Sequence, residues 1–103
     1  MNSKQFEDIL SKRLDSIKNT LSSKSKEYAS FDDRLYNFKR AAQLQNVTPQ
    51  AALLGMMTKH LVSVLDLIEG KSTPSISIID EKIGDTINYF ILLEAVLKEQ
   101  PKE

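Results

Sequence analysis

The stretch from Ile78 to Glu99, IIDEKIGDTINYFILLEAVLKE, constrains this chain more than any other. Ile79, Ile83, Ile87, Phe90, Ile91, Leu93, Val96 and Leu97 recur at helical spacing, which predicts a long amphipathic helix. Glu81, Asp85 and Asn88 stand at i, i+4 and i+7, so two carboxylates and an amide share one stripe of it. A helix this long and this apolar has to bury a face against other helices.

The rest of the chain supplies them. Phe6, Ile9, Leu10, Leu14, Ile17 and Leu21 step by three and four. That narrow seam predicts a first helix over 3–23, packed along a bundle edge or along another copy of itself. Ser22, Ser23 and Ser25 around Lys24 and Lys26 predict a break there. Ser30 with Asp33 resembles a capping box and predicts a second helix over 31–45, with Leu35, Phe38, Ala42 and Leu44 facing the core. Thr48–Pro49 is a cap followed by proline, and Gly70 a stop, which together predict a third helix over 49–69. Ser75 or Ser77 caps the fourth, over 77–99. Residues 1–103 therefore read as one all-α domain, a bundle of four helices with short connections. The third and fourth helices are apolar on nearly every side, more than a monomer of this size can hide. That predicts a homo-oligomer, at least a dimer.

Composition removes several function classes. The chain has 14 basic and 14 acidic side chains and no net charge. This argues against a binder of nucleic-acid polymers or of a membrane surface. There is no cysteine, so disulfides, thiolate metal sites and thiol catalysis are excluded. No signal-peptide pattern and no run near the ~20 apolar residues of a membrane helix is expected, which points to the cytoplasm.

Polar groups within the apolar helices mark the candidate site. Arg34, Asn37 and Phe38 share a face, with Arg40 flanking, and a guanidinium grips carboxylate or phosphate through two parallel bonds. Tyr28 and Tyr36 are candidates for stacking on a base. The bland alternative is an internal salt bridge from Arg34 to Asp85 or Glu81. Lys59 and His60 place donors in the middle of the enclosed third helix, where they need partners. His60 is the sole histidine, and Ser63 on the same helix has no oxyanion hole to make it a nucleophile. Gly70-Lys71-Ser72-Thr73 lacks the leading glycine and strand of a phosphate loop.

SKEYASFDDRLYNFKRAA, TPQAALLGMMTKHLVSVLDLIEG and IDEKIGDTINYFILLEAVL resemble small helical proteins of phages and prophages of Gram-positive bacteria, including those associated with nucleotide modification. They are also similar in pattern to the all-α MazG-like nucleoside triphosphate pyrophosphohydrolases. The resemblance covers about Ser25 to Glu99, and Gly84–Asp85 with Asn88–Tyr89 is the piece most like that superfamily's last metal-binding helix. The family holds Mg²⁺ with an EExxE set and an ExxD pair. Here Asp85 matches the second acid of the pair while Lys82 stands at the first, with Glu81 one residue off. Lys59 and His60 stand where glutamates would be.

Two readings follow, with a third beside them. The favoured one is a phage-type protein that binds, and sequesters without catalysis, a nucleotide or cyclic nucleotide. Its ligand residues are Arg34, Asn37, Arg40, Lys59, His60, Asp85 and Asn88, it needs no cofactor, and it works in the host cytoplasm. The alternative is a Mg²⁺-dependent hydrolase using Asp66, Glu81 and Asp85. The third is a helical module that binds another protein.

Overall fold

A computed structural model describes residues 1–28, 33–71 and 73–100. Among them are four helices and no strand: α1 (Ser3–Tyr28), α2 (Tyr36–Gln45), α3 (Pro49–Glu69) and α4 (Ile76–Glu99). The chain is all-α, as expected.

The helix ends follow from local chemistry. Asn2 and Gln5 form a reciprocal box at the start of α1, each side-chain oxygen accepting the other's backbone N–H at 2.8 Å, which satisfies two otherwise orphaned donors. Asn46 ends α2 in the left-handed region at φ 56°, where asparagine is tolerated. Thr48 Oγ1 accepts from Ala51 N at 3.2 Å ahead of Pro49, and Gly70 at φ 68° stops α3. Of the two serines expected to cap the last helix, Ser75 does so, accepting from Ile78 N at 3.2 Å.

Two boundaries differ from expectation. The serines after Leu21 do not break α1, which continues to Tyr28; their weak helix preference is smaller than the gain from propagating a helix already nucleated. The second helix starts at Tyr36 rather than near Phe31. Asp33 accepts instead from Leu35 N, two residues on, at 3.0 Å, a local turn that competes with helix. Ser30 and Phe31 lie outside the described residues.

Packing centres on α3. Leu53, fully enclosed, gathers Leu35, Phe38, Met57 and Val96, with Leu61, Leu92 and Leu93 against them. Leu35, which caps α2, and Phe38 and Ala42 within it face inward as expected, but Leu44 is 80% exposed, because the αL ending at Asn46 follows within two residues. One end of the bundle is tied by Lys39, which pairs with Asp33 at 2.8 Å and with Glu99, and by the Gln50 and Gln100 amides, which bond each other.

The α1 helix lies against α4 only through its middle. Arg13 donates to the Asp80 carbonyl at 3.0 Å and crosses Gly84, where an added Cβ would stand 2.4 Å from Arg13 Nη1. Glycine in mid-helix is explained by that close approach. Because Arg13 meets Asp80 and Gly84 while Leu21 meets the level of Asn88 and Leu92, α1 runs in the same direction as α4. The α3 helix is less enclosed than expected, with Leu54 and Leu65 each 52% exposed. By length and composition alone it is long and apolar enough to cross a bilayer, where no such segment was expected.

Candidate functional site

Between α2, α3 and α4, and closed on one side by Thr20 and Leu21 of α1, lies a cavity of about 570 Å³. Its walls are apolar, from Phe38, Met56 and Leu92, and its polar groups are Arg34, Asn37, Arg40, His60, Asp85 and Asn88. Thus the turn before α2, with α2, α3 and α4, brings together six of the seven residues picked from sequence. On the helices the reason is periodic: Asn37 and Arg40 are three apart, as are Asp85 and Asn88, so each pair projects from one face of its helix, while Arg34 comes from the turn just ahead of α2.

Lys59 is the exception. It is exposed and does not line the cavity. One residue along a helix is a rotation of about 100°, so with His60 turned inward Lys59 must point outward. Tyr89 and the two α1 residues line the cavity without having been expected to. Tyr89 follows Asn88 in the sequence, but nothing local to α1 indicates which helix it packs on. Tyr36 does not line the cavity, and the side chain of Tyr28 lies outside the described residues.

His60 is held from two sides. Its Nδ1 is 3.6 Å from Asp85 Oδ2, an ion pair whenever the imidazole is protonated. Its ring lies 5.0 Å from that of Tyr89, tilted by 33°, in the range of favourable aromatic contact. Burial, and then the Asp85 carboxylate, push the Tyr89 phenol above its ordinary value, so it stays a neutral hydroxyl at neutral pH. Arg34 donates to the Leu21 carbonyl and forms no ion pair with Asp85 or Glu81, so the internal salt bridge considered for it is not made. Arg40 is steadied by Gln43 Oε1 at 3.0 Å.

One atom stands out in the accounting. Asn88 Oδ1 is buried without a hydrogen-bond partner. A buried acceptor left so costs on the order of 1–3 kcal/mol, and such orphans are uncommon enough to need a reason.

No family model, curated protein or solved structure matches the chain.

The carboxylates of the hydrolase alternative do not converge within one chain. Asp66 lies 3.4 Å from Lys71, Glu81 3.6 Å from Lys82, and Asp85 faces His60. Among the described residues no three histidine, cysteine or acidic side chains are grouped closely enough to hold a metal ion. Mg²⁺ needs several oxygen ligands in near-octahedral array, and the donor set seen here does not fit it.

Proposed function

We propose that this chain is a phage-type protein that binds a nucleotide or cyclic nucleotide in the cavity between its helices, without turning it over, and does so as a homo-oligomer in the cytoplasm. The observation that carries this is the convergence of two guanidiniums, Arg34 and Arg40, with two amides and the His60–Asp85 pair on one apolar-walled cavity. Its volume falls within the range of small-molecule sites. The arginines suit phosphate oxygens. Asn37, Asn88 and Asp85 offer both donors and acceptors to a base edge or sugar hydroxyl, and Phe38 and Tyr89 offer faces for a base. The orphaned Asn88 oxygen supports the reading, because a ligand donor reaching a rotated Asn88 amide would give it a partner.

The test is a thermal-shift screen of mononucleotides and cyclic nucleotides, followed by calorimetric titration of any that respond. A ligand present at 100 times its dissociation constant should stabilise the fold by about 2.7 kcal/mol. Arg40→Ala should weaken binding at least ~10-fold while leaving the melting temperature of the free protein within about 2 °C, as among the described residues its hydrogen-bond partner is the exposed Gln43. Silence across the panel would remove the nucleotide reading. Pyrophosphate release from a nucleoside triphosphate with Mg²⁺, abolished in Asp85→Ala, would replace it with the hydrolase.

A further inference from the structure

We infer, on the nucleotide reading proposed above, that the base taken into the cavity is guanine, and that Asp85 is the residue that selects it. Asn88 completes the recognition from the same face of α4.

The α3 and α4 helices run antiparallel in a fixed register. Leu53, Met57 and Val96 share one core, and about one turn beyond Met57 the His60 ring meets Tyr89. The cavity is therefore layered along α4. Leu92, with Met56 across on α3, forms an apolar end, and Asp85 and Asn88, with His60 across, form a polar one. Asp85 and Asn88 leave α4 one turn apart, about 5–6 Å between Cβ atoms, a spacing that suits the edge of a base. Both have hydrogen-bonding capacity to spare. Asp85 Oδ2 faces His60 Nδ1 at 3.6 Å, beyond hydrogen-bond length, and Oδ1 has no partner among the described residues. A carboxylate offers about four acceptor positions, so His60 leaves most of them to a ligand. The Asn88 amide makes no hydrogen bond among the described residues. Its Oδ1 is buried and its Nδ2 is not, so the nitrogen opens on the cavity that Asn88 lines.

The polar end thus offers a donor, from Asn88, beside acceptors, from Asp85. Among the common bases guanine alone is complementary along its pairing edge. It presents the O6 acceptor and, next to it, the N1–H and N2–H₂ donors. The Asn88 nitrogen donates to O6, and the two base donors both go to the Asp85 carboxylate. Adenine offers the carboxylate the lone pair of N1, and cytosine and uracil each offer it the O2 carbonyl. An acceptor set against an acceptor leaves the buried polar groups of the site unpaired, which is how such sites reject an analogue. Bonds to an ionised acceptor are roughly twice as strong as neutral ones, so Asp85 discriminates more than Asn88. Arg34 and Arg40 stand on the other wall, from the turn before α2 and from α2 itself, and are left for the phosphate.

Calorimetric titration of the full chain decides the matter, with GMP and cyclic GMP each run against their adenine and hypoxanthine counterparts. The guanine form should bind at least ~30-fold more tightly than the adenine form. The hypoxanthine form, which keeps O6 and N1–H but lacks the N2 amine, should bind about 10-fold more weakly than guanine, as for one bond to a charged acceptor. Asp85→Asn, close to it in shape, should lose at least ~30-fold of the guanine affinity and gain affinity for XMP, whose C2 carbonyl accepts where the guanine amine donates. If Asp85→Asn fails to fold, the order of guanine, hypoxanthine and adenine on the parent chain still decides. Silence towards every nucleotide overturns the nucleotide reading and the choice of guanine together. Adenine bound as tightly as guanine, or more so, overturns guanine alone and leaves the nucleotide reading standing. A preference for guanine that survives undiminished in Asp85→Asn overturns the role given to Asp85.

Discussion

Asn88 is where a stability cost and a binding role meet. Its buried oxygen has no partner, so replacing the side chain by an apolar one of similar shape removes a penalty. Asn88→Leu is expected to stabilise the free protein by about 1 kcal/mol in denaturant titration and to weaken nucleotide binding in the same preparation. A variant that loses stability would mean that Asn88 is already satisfied. Asp33 gives the pH dependence. Hydrogen bonds from the Lys39 ammonium, and then from the Leu35 N–H, hold its carboxyl below the ordinary range. A lowered folded-state pKa favours the native state above the unfolded value, and the benefit is lost as pH falls through the folded one. Melting temperature should therefore drop as acid is added below about pH 4, and Asp33→Asn should drop less steeply, the difference measured by calorimetry. The sequence yielded much at this scale because residues three or four apart on a helix must share a face. It grouped Lys59 with His60 by taking two adjacent residues to face one way, whereas the structure turns Lys59 away from the cavity.

The helix boundaries were readable where one residue type has one conformational use. Thr48–Pro49 and Gly70 fixed α3 to the residue, and Ser75 capped α4. They were unreadable where a choice depends on a distant group. The second helix starts late because Asp33 is engaged by Leu35 and by Lys39, six residues on, and no propensity encodes that. The docking of α1 was hidden for the same reason, although a glycine in the middle of α4 was its trace. Arg13 lies in the space that a side chain at position 84 would take. Alanine is the better helix former by about 1 kcal/mol, yet Gly84→Ala must displace the guanidinium and break its bond to the Asp80 carbonyl. The expected outcome is a well-formed α4 with a loosened α1. Trypsin should cut after Lys12 or Lys18 several times faster than in the parent chain, while circular dichroism changes little. If cleavage is unchanged, Arg13 does not anchor α1.

At the scale of the whole molecule the question is whether one chain holds enough core to stand alone. Among the described residues its enclosed apolar side chains are Leu35, Phe38, Ala42, Ala52, Leu53, Met57 and Val96, two of them alanines, and all lie at the α2–α3–α4 junction. A domain near 100 residues has to offset an ordering entropy on the order of 100 kcal/mol, and its net stability is only about 5–15 kcal/mol. Leaving Leu54, Leu65, Phe90 and Leu97 in water removes a large share of the available burial, at roughly 1.5–3 kcal/mol for each such side chain fully covered. In the proposed homo-oligomer, folding and association should then be one process, and stability should depend on protein concentration. With an unfolding entropy near 2.1 cal/mol/K per residue summed over two chains, each tenfold dilution should lower the melting temperature by about 3 °C. Scanning calorimetry from 2 to 200 µM (roughly two decades, so about 6 °C) resolves that slope. A melting temperature constant across the range would mean that the seven core residues suffice without a second copy.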